Sequence, residues 1–202
     1  MNVARALLCS TLLFSTGLVT TGCVAQRTHA WEHARTTSYR QHFRDWTRHD
    51  QINNGIVANA TASVTCFSPA FAVELQKERS KRARHNREEK DTRLEQARSK
   101  ANDRLEFFVA LHTQNHYWND LEVKRGTFKV QLYVDDKAAV QPEKIKRLNQ
   151  NEMADWVTLF PTVGPLQTGY IIRFPPIESA KRLRLLISGN PGAMEMVWKI
   201  SH

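Results

Sequence analysis

"RLEFFVALHT", residues 104–113, decides the fold. Successive side chains of a strand point to opposite faces, so a half-exposed strand alternates apolar and polar residues. Here Phe107, Phe108, Val109, Ala110 and Leu111 are apolar without a break. That pattern suits a strand at the centre of a sheet, covered on both faces.

The segments around it alternate instead. In "TFKVQLYVDDKAAVQP" (127–142), Phe128, Val130, Leu132 and Val134 interleave with Lys129, Gln131 and Tyr133, and Asp135-Asp136 makes a turn. "GYIIRFPP" (169–176) gives another strand, stopped by Pro175-Pro176. Residues 181–200 read as a hairpin. Leu183, Leu185 and Ile187 face one way, a turn follows at 189–192, and Met194, Met196, Trp198 and Ile200 return. Upstream, "GIVANATASVTC" (55–66) alternates Ala58, Ala60, Ala62 and Val64 with polar residues. Its terminal Cys66 is expected to be a small buried hydrophobe. About seven short strands with turns between them predict an antiparallel β-sandwich of immunoglobulin-like kind, without the immunoglobulin disulfide.

A helical insertion at about 68–103 separates strand 55–66 from the rest. Ser68 is a candidate N-cap and Pro69 takes the first helical position, which needs no N–H. Phe71 and Leu75 anchor its start, and Leu94, Ala97 and Ala101 give a thin apolar stripe near its end. Residues 77–93 lack large apolar side chains and cannot be a core helix. Either one long helix projects into solvent or a hairpin breaks near His85-Asn86. Glu78–Arg82 and Glu89–Arg93 have the spacing of supporting ion pairs.

Residues 24–50 contain a short amphipathic helix. Tyr39, Phe43 and Trp46 share a face expected to pack on the main domain, with Arg35, Arg40, Arg44 and Arg48 between them.

The N-terminus bears on compartment. Residues 6–21 carry no charge over 16 residues, too few for a spanning helix of about 20. A charged end, an apolar run and small residues follow one another in the order of a secretory signal. Thr20, Thr21 and Gly22 then meet Cys23. This junction resembles the signal of bacterial lipoproteins, although Thr20 stands where Leu is commoner. The resemblance implies that Cys23 becomes the acylated first residue, which anchors the chain in a membrane. Val24 in place of Asp favours, by analogy, the outer membrane of a Gram-negative bacterium. The expected organisation is a signal peptide at 1–22, an anchor and helical segment at 23–54, and the sandwich domain at 55–202. Several short motifs of the mature part, among them "SPAF", "FFVALHT", "NDL" and "LFP", resemble uncharacterised lipoproteins of deltaproteobacteria. That group brings no activity with it.

Candidate sites are few. Net charge is +9, which favours anionic partners. Hydrophobic residues make up 41%, and the deficit is concentrated in the charged insertion. Lys77, Arg79, Lys81, Arg82, Arg84 and Arg87 face one acid, Glu78, and form a candidate contact with an anionic surface. Tyr117, Trp118, Asn119 and Asp120, within the 112–121 loop, combine aromatics with an amide and a carboxylate as sugar- or peptide-gripping loops do. His29 with His33, and His112 with His116 near Asp120, offer two ligands each where zinc needs three or four. No GxSxG, phosphate-binding glycine loop or dinucleotide-binding fingerprint occurs. No catalytic residue, metal or cofactor is therefore expected, and an unrecognised hydrolase is a remote alternative. The expectation is a non-enzymatic, lipid-anchored accessory or interaction protein of the cell envelope. Its partners would be the membrane and another envelope protein or anionic envelope polymer, not nucleic acid. The alternative is a carbohydrate- or cell-wall-binding module.

Overall fold

A computed structural model describes Trp31, residues 35–177 and residues 179–200. Cys23, His29 and His33 lie outside the described residues. The elements run α1 (Thr37–Trp46), β1 (Thr47–Asn54), β2 (Val57–Cys66), α2 (Pro69–Arg82), α3 (Arg87–Asp103) and β3 (Leu105–Thr113). A 3-10 turn (His116–Trp118) follows, then β4 (Phe128–Val134), β5 (Lys144–Arg147), α4 (Gln150–Leu159), β6 (Thr168–Phe174), β7 (Arg182–Gly189) and β8 (Gly192–Lys199).

The strands form two antiparallel sheets. One has five strands in the order β1-β2-β3-β6-β5, and the other has three in the order β4-β7-β8. They pack face to face over one core. The larger sheet contributes Val64, Cys66, Phe107, Val109, Leu111 and Ile172, and the smaller one Val130, Leu132, Leu185, Met196 and Trp198. Each inner side chain is two residues from the next, as the alternation predicts. The sandwich thus has two sheets with a helical insertion between β2 and β3.

The uninterrupted apolar run of β3 has its explanation on the opposite face. Phe108 and Ala110 point away from the sandwich into a second core with Tyr39, Phe43, Phe71, Leu75, Trp156, Leu159 and Phe160. Helices α1, α2 and α4 supply these residues and cover the five-stranded sheet from outside. The molecule is three layers deep: small sheet, large sheet, helices.

Local signals set the helix limits. The Thr36 side chain accepts from Tyr39 N and starts α1, and Tyr39 and Phe43 are buried as expected. Polar residues 47–54, read with the anchor segment, form strand β1 instead. Only Thr47 and Ile52 of β1 are buried. Its polar side chains reach the neighbouring sheet: Arg48 donates to the carbonyl of Val197, and Asp50 accepts from the amide of Glu195. Ser68 caps α2 and Pro69 opens it. The insertion is a hairpin. It breaks after Arg82, with Arg84 in the left-handed region at φ 54°, and Asn86 and Glu89 form a reciprocal capping box that starts α3. No residue of α3 is buried, so it lies on α2 and faces solvent. Neither expected ion pair forms. Glu78 accepts from the amide of Thr36, Arg82 donates to Thr158, and Glu89 is held by its cap. Helix α4 and strand β5 have no counterpart in the sequence expectations. Asn149 and Glu152 cap α4, and Trp156 and Leu159 are its buried residues.

Candidate functional site

The helix-covered face of the large sheet carries a groove. Helices α2 and α3 form one wall, β5 and α4 the other, and β3 and β6 the floor. Two adjoining clefts compose it, of about 300 and 320 Å³, and they share Lys100, Glu106, Trp156 and Ile171. The rims are rich in cations: Arg79, Arg93, Lys100 and Arg104 on one side, Lys144, Lys146 and Arg173 on the other. Glu106, Glu152 and Asp155 are the acids.

Trp156 of α4 supplies the apolar centre of the groove. Its ring stacks on Phe108, with centroids 4.6 Å apart at 8°, and on Phe67 at 5.8 Å and 10°. The Arg79 guanidinium lies over the same ring, 4.6 Å from its centroid. Between the clefts, Glu106 is buried and meets three cations: Lys100 at 2.9 Å, Arg173 at 3.0 Å and Arg104 at 3.3 Å. Burial pushes the Glu106 carboxyl up, but hydrogen bonding and charge from Lys100, then Arg173 and Arg104, outweigh it and hold the group below the usual range. One carboxylate facing three cations leaves this point of the groove net positive.

The six basic residues singled out in the sequence do not share one surface. Lys77 pairs with Glu74 at 2.6 Å. Arg82 bonds Thr158 of α4. Arg79 turns inward to the groove. Lys81, Arg84 and Arg87 stay exposed around the hairpin bend. The groove is not legible in the sequence, because one wall is α4 and only Trp156 in that segment signals it.

The 112–121 loop folds back on the sandwich. Trp118 packs against the main core. Buried Asn119 accepts from Thr113 Oγ1. One oxygen of Asp120 accepts from the Thr127 amide and hydroxyl, at 2.7 and 3.0 Å. Tyr117 alone of the four is freely exposed, with the His116 ring beside it at 4.0 Å. His112 contacts the carbonyl of Leu166. Among the described residues, no group of three or more His, Cys, Asp or Glu is placed to hold a metal ion. Cys66 is buried, and burial pushes its thiol pKa up.

The chain joins the body beside the bend of the hairpin. Trp31 Nε1 donates to the carbonyl of Leu159 at 2.8 Å, and Tyr39 Oη donates to the same oxygen at 3.0 Å. Two buried donors thus satisfy a carbonyl at the end of α4. One residue earlier, Arg35 reaches the carbonyl of Thr158 and Arg82 reaches its hydroxyl. The first described residues, the end of α2 and the end of α4 therefore meet at one corner.

No protein-family model, no curated protein and no solved structure matches the chain.

Proposed function

We propose that this is a lipid-anchored protein of the Gram-negative cell envelope, held in the outer membrane by acylated Cys23. Its role is non-enzymatic, and it presents a basic helical hairpin to an anionic envelope partner. The signal-like segment ending in Thr21-Gly22-Cys23 supports the anchor. The observation that carries the reading is the corner where Trp31 and Arg35 meet Arg82. Eight residue steps separate Cys23 from Trp31, at most about 28 Å of extended chain. A tether that short, ending beside the hairpin, holds Lys81, Arg84 and Arg87 close to the anchoring surface. Basic side chains there are attracted to anionic headgroups or polymer within a Debye length, about 8 Å at physiological salt. Among the described residues, no helix is long and apolar enough to cross a membrane.

The same reading takes the sandwich as immunoglobulin-like. The order β2-β3-β6-β5 against β4-β7-β8 corresponds to the A-B-E-D and C-F-G sheets of the constant-type domain. Strand β1 then extends the first sheet, and the hairpin is an insertion between A and B.

Two measurements on the full chain test the proposal. Cys23→Ser should move the protein from the membrane fraction to the soluble fraction. With the anchor intact, Lys81→Glu/Arg84→Glu/Arg87→Glu should abolish retention on an immobilised polyanion, which the wild type should lose only by about 0.5 M salt. Membrane retention by the serine variant removes the anchor. Unchanged polyanion retention by the triple variant removes the hairpin as the contact.

A further inference from the structure

Arg79 differs from the groove cations that are paired with acids. Lys100, Arg104 and Arg173 are engaged by Glu106, and Lys146 pairs with Glu152. The Arg79 guanidinium forms no ion pair and no hydrogen bond among the described residues, although it is half-buried against Trp156. Burial lowers its pKa from the usual arginine value, and Tyr39 and Asp155 only partly offset this. A partly desolvated guanidinium without a protein acceptor is left to solvent, and an anion in the cleft would give it a charged partner. Stacking on the indole occupies the guanidinium's face and leaves its N–H edge open for two parallel bonds to carboxylate or phosphate.

A second guanidinium, unpaired among the described residues, faces the same space. Arg93 projects from α3 into the cleft, and its sequence partner Glu89 is held by the cap at Asn86. Beneath the two arginines lie Phe67, Trp156 and Ile171. The volume, about 300 Å³, is at the small end of ligand pockets. Two arginines above flat aromatic rings suit a compact molecule with an anionic end and a flat apolar body.

We propose that the cleft between α2, α3 and the large sheet binds a small aryl anion, a carboxylate or phosphate monoester. Arg79 and Arg93 take the anionic group, and the ring lies against the partly exposed Phe67 and Ile171. The site does not depend on the lipid anchor, and its cations are not the exposed trio assigned to the envelope surface.

The test is calorimetric titration of the full-length protein in neutral phosphatidylcholine nanodiscs, with empty nanodiscs as blank. The probes are phenyl phosphate, benzoate, inorganic phosphate and benzyl alcohol. Phenyl phosphate or benzoate should bind saturably, at least about tenfold tighter than inorganic phosphate and than benzyl alcohol. Arg79→Met keeps the aliphatic stem and should weaken binding about tenfold or more. Arg93→Gln lies on an exposed helix face, cannot unfold the core, and should also weaken binding, whereas Arg87→Gln should not. The proposal is overturned by an absence of saturable binding up to about 20 mM. Equal affinity for phenyl and inorganic phosphate also overturns it, as does unchanged affinity in both Arg79→Met and Arg93→Gln.

Discussion

At position 106 a carboxylate is buried beneath three cations that stay partly in water. Its pKa is held below the ordinary 4.5, so the folded state favours the charged form. A depressed folded pKa gives stability that is complete above the unfolded value and lost as pH falls through the folded one. Acidification from about pH 5 to about pH 3 should therefore lower the urea midpoint more in the wild type than in Glu106→Gln. At neutral pH, Glu106→Gln should cost about 1.5–3 kcal/mol, the range for hydrogen bonds to charged groups. Parallel pH profiles for the two proteins would remove Glu106 from this role. At this scale the sequence is half legible. The basic cluster stands out by composition, but which arginine turns inward depends on Trp156, 77 positions further on. Likewise, the polarity of Asn119 and Asp120 does not reveal that Thr113 and Thr127 consume it.

Helix α3 is held by its own cap and by α2, with no residue buried. Asn86→Ala removes one half of the capping box and should cost about 1 kcal/mol, confined to the hairpin. Hydrogen exchange is the readout: amides of 87–100 should exchange faster while those of β3 keep their protection. Loss of protection in β3 would mean that the hairpin is part of the sheet's cooperative unit. Gly189 is under a different constraint. A Cβ there would lie 2.0 Å from the carbonyl oxygen of Thr127, a backbone atom that moves only with its strand. Gly189→Ala should force β4 and β7 apart at this end and cost about 1–3 kcal/mol, seen as a lowered Tm. An unchanged Tm would show that the strand end is looser than its geometry. The elements legible in sequence are those with a buried side. Strands β4, β7 and β8 show the two-residue rhythm because one face is dry, and β2 shows it because Ser63 and Thr65, though buried on its other face, are polar and hydrogen-bonded. Strand β1 hides because its polar side chains bond the opposite sheet, and β5 because four residues at a sheet edge hold one apolar residue, Ile145. Helix α4 is short, and its start signal, Asn149 with Glu152, shows only once the pair is sought.

The whole molecule follows from the double coverage of β3. One face closes the sandwich with the small sheet, and the other carries Phe108 and Ala110 into the helix layer. The sequence predicts both covered faces, but not that α1, α2 and α4 together form the second cover and leave a cationic groove. That layer also receives the chain at Trp31 beside the hairpin, and so links the fold to the proposed anchor. The central claim is that acylated Cys23 holds this body at a membrane. Intact-mass spectrometry of the protein extracted from the envelope of its expressing cells tests it most directly. The account predicts a chain beginning at Cys23 and carrying the added mass of acyl groups on that residue. The mass of the unprocessed chain from Met1, or of a processed chain without acyl groups, would contradict it.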